Sequence, residues 1–210
     1  MKKKSIIVDI LGLLTCLCYA SLTFVSHYAA TKMLLSFLLL IGATWVFLLF
    51  TYFAALKDEM LSLKRILFWA LAFRLIGFWS TPLFEDDYFR YLWDGYQFAL
   101  QGSPYLHAPA FHWNNVNLSQ QWLVILHNIN YPAIKTIYGP VSQFAFLLSY
   151  LIQPGQLWPL KLILIGFDLL GIIMLSKIVT TRQLLLYAWC PLLIFEITFN
   201  VHVEIIAIAL

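Results

Sequence analysis

One run of the sequence concentrates groups able to move protons and bind charge: Glu85-Asp86-Asp87-Tyr88-Phe89-Arg90-Tyr91-Leu92-Trp93-Asp94-Gly95. At the step of a helix, Asp87, Arg90, Tyr91 and Asp94 share one face within an arc of about 100°. Asp86 and Arg90 stand four apart and can also pair. Carboxylates held beside a fixed cation can divide the work. One takes a proton from an attacking hydroxyl, while its neighbour binds a divalent metal or orients the first. Arg90 can hold a ligand phosphate through two hydrogen bonds, or simply keep the carboxylates ionised. Acidic residues also favour the positive end of a helix dipole for purely structural reasons, and spacing alone leaves both readings open.

A second polar set lies near the end of the sequence. On a continuous helix Glu196, Asn200 and Glu204 fall within about 80° of one another, while His202 points elsewhere. Asp9, Arg74 and Asp168 sit inside apolar runs. Ionisable groups in a bilayer face a partner or a cavity, and Arg74 is expected to pair with an acidic neighbour.

The elements that must position these groups follow from composition. Of 210 residues, 62% are hydrophobic and only 11% charged, whereas a water-soluble domain carries about 25% charged residues. Lipid is therefore the expected solvent. Apolar runs near the bilayer-spanning length of about 20 residues recur along the chain, which excludes a single cleaved signal. The periodicity and hydropathy predict helices at 5–27, 33–56, 65–82, 140–153, 158–178 and 183–210. A net charge of +3 gives no reason to expect nucleic acid.

Lys2, Lys3 and Lys4 precede the first helix, and Lys57, Lys64 and Arg65 separate the second from the third. The positive-inside rule then places the N-terminus in the cytoplasm and the segment 83–139 outside. Trp93, Trp113 and Trp122 in that segment suggest short helices lying at the membrane interface. The expected fold is an all-α, polytopic transmembrane bundle. Its parts are three N-terminal helices over 1–82, a long outer loop over 83–139, and about three further helices over 140–210. The last run shows no cap or stop signal and is expected to continue beyond residue 210.

The acidic run, followed by Gly102-Ser103-Pro104-Tyr105 and Ala108-Pro109, resembles the first outer loop of bacterial multi-pass mannosyltransferase-like proteins of the GT-C glycosyltransferase superfamily. Tyr131-Pro132, Thr136-Ile137-Tyr138-Gly139-Pro140 with Gln143, and Cys190-Pro191-Leu192 through Glu196, Asn200, His202 and Glu204 follow in that family's order. The similarity covers residues 80–210 and extends more distantly to the glycosylphosphatidylinositol mannosyltransferases. Members often carry Asp near the position of Glu204, and normally continue through further helices.

The resemblance implies a GT-C-like enzyme of the bacterial plasma membrane with an extracytoplasmic site. It would take a sugar from a polyprenyl-phosphate donor to the hydroxyl of a lipid or glycan acceptor. Asp86 or Asp87 would be the catalytic base, Asp86 being favoured with Asp87 as its orienting neighbour, and both would offer ligands to Mg or Mn. Glu85, Arg90, Tyr91, Asp94, Tyr138, Glu196, Asn200, His202 and Glu204 would bind substrate, with Lys135 assisting at the phosphate. The rival reading is a transporter or flippase in which Asp9, Arg74, Asp168 and Glu196 line a path.

Overall fold

The computed structural model describes residues 2–28, 34–56 and 61–210. Met33 and Lys57, which enter the boundaries and charge count above, lie outside the described residues. The chain is all-helical, 71% helix, with no strand among the described residues. Its α-helices are α1 (Lys2–Ser26), α2 (Leu34–Leu56), α3 (Leu63–Phe78), α4 (Tyr88–Gln101), α5 (Gln120–His127), α6 (Pro140–Ile152), α7 (Trp158–Leu175), α8 (Thr181–Ala188), α9 (Pro191–Thr198) and α10 (Glu204–Ala209).

Among the described residues three helices are long and apolar enough to cross a membrane, over Ile6–Ser26, Leu34–Ala55 and Trp158–Leu175. At helical rise they cover roughly 27–33 Å, against a hydrocarbon core of about 30 Å. The α2 helix leaves Leu35, Leu39, Phe50 and Phe53 exposed, an apolar surface of the kind that marks a lipid or protein contact.

Of the other expected helices, α3 and α6 form near their expected positions but are shorter, and the last is corrected. α3 has 16 residues and α6 has 13, so as straight helices they reach only roughly 24 and 20 Å. The run expected as one helix over 183–210 is three short helices. Pro191 lacks the N–H that would continue α8 and instead opens α9. Beyond α9 the chain turns at Val201, whose φ is 65°.

The chain divides into two compact units, Met1–Leu83 with Ile165–Leu210, and Phe84–Leu164. Within the second unit α6 packs against α4. Gly95 permits that approach: a Cβ there would overlap the Phe146 carbonyl.

In the first unit, Tyr19, Ile66, Phe73, Trp189, Phe195 and Phe199 form a largely aromatic core. The Trp189 indole donates to the Ile66 carbonyl at 3.2 Å. Asp9 Oδ1 accepts from Arg65 Nε at 3.1 Å and from Trp69 Nε1 at 3.2 Å, joining α1 to α3. The expected pairing of Arg74 is with Asp168, and both side chains are 0% exposed. Arg74 Nη1 also donates to the carbonyls of Ala70 at 3.0 Å and Ala188 at 2.8 Å. One guanidinium thus ties together α3, α7 and the end of α8, where the helix dipole favours a cation.

In the second unit, Trp93 and Trp122 are 0% and 9% exposed and pack with Leu92, Leu118, Ile125, Leu126 and Ile129. This corrects the interfacial reading for those two residues, which build the loop's own core. Only Trp113, at 49%, presents its ring to the surroundings. Gly102 closes α4 at φ 74°, its N–H bonded to the Phe98 carbonyl at 3.0 Å.

Removing one partner of a buried ion pair leaves an uncompensated charge, a loss of about 3–5 kcal/mol, whereas apolar replacement of both is close to neutral. Arg74→Met and Asp168→Leu are each expected to destabilise the first unit by about that amount. The double variant should recover most of the loss, measured by reversible unfolding in bicelles.

Candidate functional site

The acidic run meets α4 at its start. Asp87 occupies the N-cap, yet its carboxylate makes no capping hydrogen bond. Asp87 Oδ2 accepts instead from the Tyr138 hydroxyl at 3.4 Å, and Asp86 Oδ1 accepts from Asn130 Nδ2. Both carboxylates stay beside the positive end of α4 while pointing at residues that follow α5. A bland capping role does not account for that arrangement.

Beside them lies a cavity of about 270 Å³ lined by Asp87, Arg90, Asn130, Tyr131, Ile134, Lys135, Ile137 and Tyr138. It combines one carboxylate, two cations, two phenols and an amide with exposed apolar side chains from Ile134 and Ile137. Tyr131 holds a left-handed backbone at φ 51°. Such a conformation is uncommon for a residue with a side chain and clusters at ligand sites.

Behind the cavity is a buried polar network. Arg90 Nε donates to Asp94 Oδ1 at 2.9 Å. Gln143 Nε2 donates to Asp94 Oδ2 at 2.9 Å and to Thr136 Oγ1 at 2.8 Å. Asp94 is 0% exposed, and burial raises its carboxyl above the ordinary value of 3.8, against the opposing effects of Arg90, Thr136 and Gln143. Tyr138 is pushed up to about 12, chiefly by burial and with a contribution from the Asp87 charge. It therefore remains a hydrogen-bond donor to Asp87.

The structure thus gathers Asp87, Arg90, Lys135 and Tyr138 at one cavity, whereas Asp86 is absent from its lining and meets it only through Asn130. Tyr91 and Asp94, expected to touch substrate, are buried and absent from the lining. Tyr91 packs edge-on to Tyr138 at 5.0 Å and stacks on Phe146 at 4.9 Å, so both residues position the wall. Glu85 precedes α4 outside the lining. Glu196, Asn200, His202 and Glu204 belong to the other unit. There Glu196 Oε2 receives Asn200 Nδ2 at 2.8 Å and His202 Nδ1 at 2.9 Å. Glu204 opens α10 and is exposed.

Asn130, Tyr131, Ile134 and Ile137 were not among the expected site residues. Their distance in sequence from Asp86 carries no periodicity that could have signalled them; the Tyr131-Pro132 pair was the nearest hint.

Among the described residues no three His, Cys, Asp or Glu side chains converge to hold a metal. Asp86 and Asp87 suit Mg²⁺ only where substrate phosphate and water complete the shell, as that ion usually allows. Comparisons with family models, curated proteins and solved structures returned no match.

A carboxyl harder to ionise in the folded chain binds its proton more tightly there. Its contribution to stability is complete below 3.8 and is lost as pH rises through the raised folded value. Asp94→Asn removes this titration. Over that interval the melting temperature of the parent should fall relative to that of the variant as pH increases. Parallel curves would contradict the assignment.

Proposed function

We propose that this chain is a polytopic membrane glycosyltransferase of the GT-C type. It transfers a hexose, with mannose the first to test, from a polyprenyl-phosphate donor to an acceptor hydroxyl. The second unit faces the extracytoplasmic side. The observation that carries the reading is the pairing of Asp87 with Arg90 and Lys135 around one cavity edged by Ile134 and Ile137. A lipid-linked sugar phosphate needs those parts: cations for the phosphate, apolar contact for the first isoprene units, and a base for the incoming hydroxyl.

Of the two adjacent acids, Asp87 reaches the cavity wall and Asp86 engages Asn130. Asp87 is therefore the base in this reading, and Asp86 orients Asn130. Asp87 takes the acceptor proton as the hydroxyl oxygen bonds to the anomeric carbon. The bond from that carbon to the phosphate oxygen breaks on the opposite face, inverting the centre. Arg90 and Lys135 stabilise the departing lipid phosphate.

The transporter reading loses weight at Arg74 and Asp168, which neutralise each other at 0% exposure and so are poorly placed to line a path.

Incubation of the full-length protein in liposomes with polyprenyl-phosphate hexoses and envelope lipid, followed by mass spectrometry, should reveal a new glycoside. Asp87→Asn is expected to lower kcat by about 10²–10⁴-fold, the usual contribution of a general base, while donor binding persists. Lys135→Ala should act mainly on KM. Translocation of lipid without a glycoside product would refute the transferase assignment.

A further inference from the structure

Asn130 and Tyr131 line the cavity but take no part in the proposed transfer, yet the chain fixes both of them. Tyr131 lies at φ 51°, in the left-handed region that a residue with a Cβ rarely enters. Pro132 follows it, and the residue before a proline is ordinarily extended. The conformation is pinned from two directions: the Tyr131 carbonyl accepts from the Ile134 N–H at 3.0 Å, and the Pro132 carbonyl from the Ala110 N–H at 2.9 Å. Burial of the ring does not offset this strain, because Tyr131 is 78% exposed. The strained backbone presents an aromatic ring to the cavity instead of to a core.

Asn130 is fixed through its side chain. A carboxylate only accepts hydrogen bonds, so the Nδ2 end of the amide faces Asp86 Oδ1. Oδ1 is thereby turned away from Asp86, which lies outside the lining that Asn130 joins. The cavity is thus offered a carbonyl oxygen next in sequence to an exposed ring. A hexose carries C–H bonds on its ring face and hydroxyls around its edge. The negative face of an aromatic ring attracts the first, and a fixed carbonyl oxygen accepts from the second. A phosphate has no donor for Asn130 Oδ1, and an isoprene chain has none either. The volume of about 270 Å³ stands at the small end of ligand pockets, which suits a single sugar ring.

We infer that Tyr131 and Asn130 form the seat of the transferred sugar, with the Tyr131 ring against its C–H face and Asn130 Oδ1 accepting from a hydroxyl. The seat rests on the reading of the cavity as a donor site, and adds to it the part that recognises the sugar end of the donor. Asp86 is then a positioning residue that aims Asn130. The strain at Tyr131 presents the ring before the donor arrives, so less order has to be imposed on binding.

Saturation-transfer NMR titrations on the full-length protein in nanodiscs compare two soluble phosphodiesters of equal charge, mannosyl butyl phosphate and butyl methyl phosphate. The mannosyl diester should bind about tenfold tighter or more, the scale of one ring contact with one hydrogen bond. Tyr131→Gly, which adopts φ 51° without strain, should fold at least as stably, erase that difference and leave the affinity for the methyl diester as it was. Tyr131→Phe should keep the difference, Asn130→Ala should reduce it, and Lys135→Ala should weaken both diesters alike. Equal binding of the two diesters by the parent overturns the seat while the phosphate site stands. A difference that survives in folded Tyr131→Gly, or vanishes in folded Tyr131→Phe, does the same, and Tyr131→Leu serves if Tyr131→Gly does not fold. Failure of the parent to bind either diester overturns the seat and the donor reading together.

Discussion

A charge withdrawn from water has to bring its partner with it, and both units are organised around that requirement. The desolvation penalty for one buried ion is several kcal/mol even after relaxation, repaid only where geometry and further hydrogen bonds are good. In the first unit Arg74 meets it with Asp168 and two carbonyl oxygens, and this fixes where α3, α7 and α8 lie. In the second, Asp94 meets it with Arg90 and Gln143. That network joins α4 to α6 and, through Thr136, to the segment carrying Tyr138.

The second network explains why the cavity is shaped before any ligand arrives. Arg90 cannot swing freely, because Nε is held by a carboxylate that is itself held by Gln143. Tyr138 is fixed by ring contacts to Tyr91 and Phe146 and points its hydroxyl at Asp87. Asp87 is not consumed in capping α4. Preorganised charge of this kind stabilises a developing phosphate without reorganisation during reaction. Here side chains sealed from solvent orient those that are not.

Much of this was legible in the sequence, for reasons that also mark its limits. The apolar runs gave α1, α2 and α7 closely, since a span needs a length that no other pattern imitates. The dense acidic run pointed to the segment that carries Asp87 and Arg90 beside the cavity, and an acidic partner for Arg74 was demanded by its apolar surroundings. Asp94 misled because helical periodicity shows which residues share a face but not whether that face is buried. Trp93 and Trp122 misled similarly, since aromatic rings suit an interface and a core alike. The break after α9 was hidden because Val is the wrong residue to announce a left-handed turn. His202, which an ideal helix turns away from Glu196, is brought back by that break alone.

The charge on the cavity also bears on the donor proposed for it. Its lining holds Arg90 and Lys135 against Asp87, two cations less one carboxylate, and Arg90 already shares its charge with Asp94. A polyprenyl-phosphate sugar is a phosphodiester with a single negative charge, which such a lining can balance. A nucleotide sugar carries a pyrophosphate with twice that charge and a base that calls for polar or stacking partners. Ile134 and Ile137 add alkyl surface beside the Asn130 amide and the rings of Tyr131 and Tyr138. If the cavity takes an activated sugar as proposed, the charge of its lining suits a singly charged lipid-linked donor better than a doubly charged nucleotide sugar.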